Sequence, residues 1–472
     1  MCRYLKTWLL PRLRHFLLLL AVSLLAVGTD TTLLAQGGAS LATGGSRPFV
    51  TGFTPVFGRN GAVGGVKIDA KGVLNSVTNA DNLRQKWVKS NKDVAEDVIV
   101  ETDMRVVSLA RLNEQLDQHL ADGKEISEEM FFLAGLRRVE YVFVVPDQND
   151  ILLAGPAGAW QRNQLSDAVS TKTGEAVLRL DDLADSLRSC VMGRQLISCS
   201  IEPTAEGLQR YAKTKTRRGG STQSRLAAME RAMGTQQVIV DGVPKDSHFA
   251  GVMVSADFFM KRYAMGFEPA PVPNLPSYMS QLSRAPAAGQ LSSPRWWMAA
   301  NYESIRRSPD GNAWQLVGQA VKTLTEDSRL DARGQRQTVA EPNAIAEKWA
   351  SSMTEEFTSF CTQRPVFGQL RNCFDLCVVS MLLGEYDLIG KSDIDLSVLL
   401  NSDQVLGPRY EVVKGIPSKG TLVRGRSGWI VSISGGVDID VRDVIKTPEE
   451  SAVLKKRFDA AGYPTDQTRW WW

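Results

Sequence analysis

The stretch Gln236–Gln281, QQVIVDGVPKDSHFAGVMVSADFFMKRYAMGFEPAPVPNLPSYMSQ, decides the fold. Val238–Val240 is short and apolar, which suits a buried strand or its end. Asp246 and Ser247 can cap a helix that begins at His248. Phe249, Val252, Ala256, Phe259 and Tyr263 then recur at steps of three and four and form one apolar stripe. Met253, Met260 and Ala264 widen that stripe, and Val254, Phe258 and Met265 fall on the opposite side. A helix apolar nearly all round belongs at the centre of a molecule. Gly266 suits the left-handed position that ends a helix, and Pro269, Pro271, Pro273 and Pro276 forbid continuation. Two narrow polar stripes interrupt the helix. One is Asp257–Lys261, an i,i+4 pair in the favourable order. The other is His248, Ser255 and Arg262, seven apart on one line. Polar groups on a buried helix must find partners. These five residues are therefore the candidates for a polar network or a binding site.

Outward from this helix the pattern is mixed. Toward the N-terminus, Ser108–Leu120 and Ser127–Val139 have helical spacing. Tyr141–Val145 and Ile151–Ala154 flank the turn formers PDQND and predict a hairpin. Leu180–Leu187 reads as a short amphipathic helix and Leu196–Ile201 as a strand, with another helix starting at Pro203-Thr204. Arg210–Arg231 is basic but has only Tyr211 as an aromatic neighbour, so a solvated helix pair explains it better than a polymer-binding face. Toward the C-terminus, Arg295–Arg306 and Ala313–Thr325 predict a long hairpin around SPDGN, with Trp296, Trp297, Tyr302 and Trp314 as core aromatics. Pro342–Phe360 is helical, and Pro365 breaks the run. The next helix buries Leu370, Cys373, Phe374, Cys377 and Met381. Strands follow at Tyr410–Val413, Thr421–Val423, Trp429–Ile433 and Val437–Val441. The whole predicts an α+β fold of mixed, mostly antiparallel sheets with packed helices in two lobes. The expected divisions are an N-terminal lobe at 79–218, the central segment at 219–281, a C-terminal lobe at 282–445 and a tail at 446–472.

Five segments carry a family resemblance. They are HFAGVMVSADFFMKRYAMGFEPAPVPNLPSYM from His248, YVFVVPDQNDILLAGPAGAW at Tyr141–Trp160, ISCSIEPTAEGLQ at Ile197–Gln209, FGQLRNCFDLCVVSMLL at Phe367–Leu383, and SGGV at Ser434–Val437. In their order along the chain they resemble a family of exported planctomycete proteins of unknown function, domain of unknown function 1598. The resemblance implies no assigned activity, cofactor or catalytic residue. Where the helix of that family carries a second cation early on, this chain has Gly251, so a shared role for a charge there does not carry over.

Residues 1–35 read as a secretory signal. A basic start ending at Arg14 precedes the apolar run Phe16–Leu25, with cleavage expected after Gly28 or Ala35. That run is short for a span of roughly 20 residues. No later segment reads as long and apolar enough to cross a membrane. The expected localisation is periplasmic or extracellular. Residues 36–78 are a Gly-rich leader in which Gly65–Asn75 reads equally as a small hairpin around Asp69–Gly72 or as loop. The first 35 residues hold four of the 55 basic residues and one of the 52 acidic ones, so the remainder is formally neutral. A neutral chain lacks the footprint of a nucleic-acid binder. In an oxidising compartment Cys190 and Cys199 are the candidate disulfide, while Cys373 and Cys377, four apart on a helix, read as buried thiols.

The chemistry suggested by the sequence is sparse. There is no phosphate-binding loop, no strand–GxGxxG–helix, no HExxH and no GxSxG. No cofactor or metal is expected. His119 and His248 are the only histidines beyond the leader. Asp387, Asp393 and Asp395, and likewise Asp438, Asp440 and Asp443, lack the glycine and spacing of a calcium loop and read as caps and surface carboxylates. The first expectation is a non-catalytic binding or assembly protein with a protein or polymer partner. The second is a hydrolase using carboxylates or a Ser–Lys pair.

Overall fold

Strands from both sides of the central helix share one sheet. The computed structural model describes residues 95–472 except 164–166, 195, 215–218, 285–292, 331–335, 339–342, 411, 413, 423–427, 431–433 and 466–468. It also describes four short strands before them, Ser40–Ala42, Gly61–Val63, Val66–Ile68 and Leu74–Ser76. The expected signal at 1–35 and most of the expected leader lie outside the described residues. Within the leader, Val66–Ile68 and Leu74–Ser76 pair antiparallel, and the turn expected at Asp69–Gly72 lies outside the described residues.

The two large sheets use thirteen strands: β1 (Thr102–Ser108), β2 (Tyr141–Val145), β3 (Asp150–Ala157), β4 (Ile197–Pro203), β5 (Thr235–Asp241), β6 (Ser293–Asn301), β7 (Arg306–Arg307), β8 (Ala313–Gln315), β9 (Ala320–Leu330), β10 (Arg336–Thr338), β11 (Gly415–Pro417), β12 (Ser434–Ile439) and β13 (Glu449–Glu450). The main helices are α1 (Leu109–Ala121), α2 (Glu128–Phe131), α3 (Leu180–Val191), α4 (Ala205–Thr214), α5 (Thr222–Met233), α6 (His248–Met265), α7 (Tyr278–Arg284), α8 (Ala344–Glu355), α9 (Phe357–Gln363), α10 (Pro365–Glu385) and α11 (Val453–Ala461). One sheet runs β10-β9-β6-β12-β4-β5-β11 and the other β13-β7-β8-β2-β3-β1. Within these two sheets, β6–β12 and β7–β13 are parallel and the other pairs antiparallel. The expected α+β class with mixed, mostly antiparallel sheets holds.

The expected boundaries at 218 and 281 do not separate bodies. Residues from 197 to 439 interleave in the seven-stranded sheet, and one apolar core runs from Val98 to Trp471. In place of two lobes, α6 lies over β4, β12 and β6 at the middle, α8 covers β9, and α10 packs on α3, α6 and α9. A smaller core lies between the six-stranded sheet and α11, built on Val106, Phe143, Leu152 and Leu454.

Local sequence explains most elements. Ser108 caps α1 by accepting from the Arg111 N–H at 3.1 Å. The β2–β3 hairpin turns at Pro146–Gln148, with Asn149 in the left-handed region at φ 50°. Ser127–Val139 is not one helix: α2 ends at Phe131, and Leu133 and Ala134 take positive φ. The long hairpin divides. β6 pairs with β9 from Asn301–Ala320 outward, while β7 and β8, closed by the expected SPDGN turn, cross to the other sheet. Trp296 lies in the core against Tyr278 and Trp349, with ring centroids 5.0 and 4.9 Å away. The expected strand Tyr410–Val413 lies partly outside the described residues; β11 follows at Gly415–Pro417. Pro365 starts α10 at its first turn, where a missing N–H costs nothing. α10 passes for a membrane span by length and composition, contrary to the expectation from sequence, yet its apolar window is 89% buried inside the fold.

The cysteine expectation needs correction. Cys190 and Cys199 are free thiols. Cys190 ends α3 and donates to the Ser380 carbonyl oxygen at 3.0 Å, whereas Cys199 sits within β4 between Val240 and Val437. Close spacing in sequence does not bring the two together, because a helix end and a strand centre point them at different neighbours. Cys361, Cys373 and Cys377 are buried thiols.

The SGGV segment is explained by space. A Cβ on Gly435, at φ 128°, would sit 1.7 Å from the Trp296 carbonyl oxygen, and one on Gly436 would sit 1.9 Å from that of Cys199. Both obstacles are backbone of flanking strands, which cannot yield. Gly436→Ala is therefore expected to cost roughly 3–5 kcal/mol, at the severe end for single substitutions. The midpoint of urea unfolding measures it.

Candidate functional site

Helix α6 starts where the sequence places it. Ser247 is extended at φ −78°, ψ 160° and accepts from the Ala250 N–H at 3.1 Å. Gly266 ends the helix in the left-handed region at φ 70°. Every residue from Phe249 to Met265 is buried. The five candidate residues meet partners in three separate places.

At the N-terminal end, His248 Nδ1 lies 2.9 and 3.0 Å from the two oxygens of Asp182. A carboxylate only accepts, so Nδ1 is the donor. Asp182 is in the first turn of α3, beside Asp181, whose oxygens are gripped by the Arg179 fork at 2.9 and 2.6 Å. Asp185 lies one turn further along the same face. Burial raises its carboxyl to about 7, and the charges of Asp181 and Asp182 add to the rise. The segment at Gly407–Tyr410 closes over this group. The Tyr410 ring lies 6.3 Å from the imidazole, and a Cβ on Gly407 would come within 2.2 Å of Asp181 Oδ2. One donor atom from each of Asp181, Asp182 and His248 falls within 4.8 Å of the others, close enough to gather a cation. The Arg179 fork and the imidazole already occupy both carboxylates, so their charge is answered by the chain itself.

In the middle of α6, Lys261 Nζ is 2.7 Å from Asp257 and also donates to the carbonyl oxygens of Ile201 on β4 and Gly435 on β12, at 3.1 and 3.2 Å. Burial raises the Asp257 carboxyl to about 7 against the pull of Lys261, and Glu202 adds to the rise. Glu202 lies 3.6 Å from Arg295, which bonds Glu326 at 2.7 Å. At the C-terminal end, Arg262 donates to Glu268 at 3.0 Å, and Arg364 holds the other oxygen of Glu268. Arg364 also donates to the Tyr263 hydroxyl at 3.0 Å and stacks over Phe259, 4.0 Å from its centroid.

Ser255 is buried, and its hydroxyl has no partner among the described residues. Nothing joins it to Lys261, whose ammonium is directed at the sheet. His248, Ser255 and Arg262 share a line on the helix without forming a network. Of the other carboxylates, Asp395 accepts from the Ser397 N–H at 2.8 Å, and Asp440 and Asp443 pair with Arg442 and Lys446, but Asp387 makes no side-chain cap and Asp438 Oδ1 is buried without a partner among the described residues. His119 bonds the Gln115 carbonyl in its own helix at 3.0 Å.

Residues 199–278 match a family model described as protein of unknown function (DUF1598). The family resemblance read from the sequence holds over this segment. It runs from β4 through α6 to the start of α7, and so contains Ile201, Asp257 and Lys261 together. No curated protein and no solved structure matches the chain.

Two features were not among the candidates. The Arg179, Asp181, Asp182 and Asp185 group had a signal, three aspartates in the first two turns of an amphipathic helix, but only the fold brings His248 to it. The second is a groove of about 460 Å³ lined by Leu120, Ile126, Phe131, Val405 and Leu406, with Lys124, Glu125, Glu128 and Gln404 also on its walls. Its halves are almost 300 residues apart, and no local pattern announces them.

Two outcomes are expected. Lys261→Met leaves Asp257 buried without its cation and is expected to cost roughly 3–5 kcal/mol, read by urea unfolding. For Asp185 the folded carboxyl titrates near 7, but in the unfolded chain near ~3.9. Between those values the folded state keeps a proton that the unfolded state has lost, so stability falls as pH rises and levels off above about 7. Asp185→Asn is expected to match the parent near pH ~4 and exceed it near pH ~8, with thermal melts across pH as the readout.

Proposed function

We propose that this chain is an exported binding or assembly protein that engages a protein or polymer partner outside the cytoplasm. The observation that carries the reading is the contrast between its polar groups and its groove. The ion-pairing side chains of α6 are consumed by internal partners. The groove between Leu120–Phe131 and Gln404–Leu406 is instead lined by five large apolar side chains together with Lys124, Glu125, Glu128 and Gln404. Its volume falls in the range of sites that enclose a ligand, roughly 300–1,000 Å³. Its lining has Lys124, Glu125 and Glu128 but no serine, cysteine or histidine, and Glu128 is paired with Arg162 at 3.3 Å. This suits capture of an apolar side chain or short apolar segment better than covalent chemistry. Export rests on the pattern of residues 1–35.

A second reading, a hydrolase using carboxylates, draws on the His248–Asp182 pair beside Asp185. An imidazole oriented by one carboxylate, with another that titrates near 7, is the arrangement general acid–base catalysis uses. The groove reading is tested with Ile126→Asp and Leu406→Asp, both at partly exposed positions. Each packs against the rim of the core and is expected to lower the melting temperature yet remain folded, and to abolish retention of the partner from an exported-fraction pull-down. Full retention by both variants would sink it. Turnover of peptide or glycan polymers by the parent, lost in His248→Ala, would replace it with the second reading.

A further inference from the structure

The C-terminal halves of α3 and α10 meet through small side chains. The hydroxyls of Ser186 and Ser380 are 2.9 Å apart. One turn further along α3, the Cys190 thiol donates to the Ser380 carbonyl oxygen at 3.0 Å, and a Cβ on Gly384 would lie 2.9 Å from its sulfur. The two helices therefore run in the same direction. Residues 377, 380, 381 and 384 are neighbours on one face of α10 and frame a hole for a facing side chain. Cys190 is the side chain that reaches this hole. Two of the four residues that frame it carry sulfur, Cys377 and Met381.

A cavity of about 10 Å³ lies at this contact, lined by Cys190, Cys377 and Met381 together with Ser186, Ser380 and Arg194. It has room for one guest the size of a water molecule. The hydroxyls on its wall are spent: Ser186 donates to the Leu183 carbonyl at 2.9 Å and pairs with Ser380. Cys377 is a free thiol with no hydrogen bond among the described residues. The lining has no carboxylate and no imidazole. What remains is a ligand set of two thiols and one thioether. Calcium and magnesium require oxygen ligands. Structural zinc takes four ligands. Thiolate and thioether sulfur is the donor set that selects Cu(I).

We propose that the cavity between α3 and α10 is a binding site for a single Cu(I) ion, held by the sulfur atoms of Cys190, Cys377 and Met381. Binding breaks two S–H bonds and forms two copper–thiolate bonds, and the two protons pass to solvent. Copper stays Cu(I), so no electron is transferred. The thioether adds a neutral donor. The bound unit then carries one negative charge, and Arg194 on the same lining supplies the opposite one. Burial pushes both thiols up, so the cavity is uncharged until the metal displaces their protons. Cys190 is half-buried and Arg194 exposed, which makes their side the way in. This inference goes beyond the proposed function. The cavity is at the opposite end of α3 from Asp182 and shares no residue with the groove.

The test is a Cu(I) titration of the full chain, thiols reduced and under argon, in competition with the coloured chelator bicinchoninate. The chain is expected to take up one equivalent, and X-ray absorption to show only sulfur around the copper. Cys190→Ser and Cys377→Ala are each expected to weaken binding by about a hundredfold or more, since losing a ligand costs more than losing an outer partner of one. Met381→Leu conserves volume and is expected to weaken it about tenfold. If Cys377→Ala does not fold, the half-buried Cys190 and Met381 variants decide. Absence of uptake by the parent would overturn the proposal, as would unchanged affinity in both Cys190→Ser and Met381→Leu. Mass spectrometry showing Cys190 joined to Cys377 in the exported protein would also overturn it, because that bond consumes two of the three ligands.

Discussion

The fold depends on one ammonium group. Lys261 leaves the central helix and bonds the carbonyl oxygens of two adjacent strands, β4 and β12, while Asp257 one turn back balances its charge. An apolar helix can slide or rotate on an apolar sheet at little cost. A buried cation with three acceptors cannot, since any shift strands it without partners. Gly435 belongs to the same arrangement. Its carbonyl receives Lys261, and its lack of a Cβ lets β12 press against β6. The family match from residue 199 to 278 covers the helix and the β4 half of this contact, and the SGGV segment supplies the rest.

Much of this was legible because it is local. The apolar wrap of α6, its cap at Ser247, its stop at Gly266 and the i,i+4 geometry of Asp257–Lys261 depend on neighbours in sequence. So does the β2–β3 hairpin. The α+β class follows from alternating patterns of period two and period 3.6. What the sequence hid is long-range. Nothing near His248 points to Asp182, which lies 66 residues away, and nothing near Arg262 points to Arg364. The stripe formed by His248, Ser255 and Arg262 was a true geometric alignment and a false chemical one. Seven residues span two turns, far enough for each side chain to find a different neighbour. The disulfide expectation failed for a related reason, since spacing measures the loop to be closed and not the direction in which each thiol points.

The polar groups also divide by purpose. Those along α6 are neutralised in place and fix the helix against α3, the sheet and α9–α10. The groove lies beside α2, next to the Arg179–Asp181 pair that adjoins His248. Glu128 and Phe131 of that short helix face the groove, and Glu129 faces Trp471. A four-residue helix capped by Ser127 thus stands between the groove and the strand edge that Trp470–Trp472 fills.

The order of strands in the seven-stranded sheet has a consequence in time. Its middle strand, β12, is the last of the seven in chain order, yet it joins the β6–β9 side to the β4–β5 side. Until residues 434–439 are available, neither half has its central neighbour, Lys261 lacks one of its acceptors, and α6 has no complete surface to lie on. Such non-local pairing slows folding and lengthens the exposure of unpaired edges. The seven-stranded sheet therefore closes only when β12 has joined its two halves, and α6 gains its full surface at the same step.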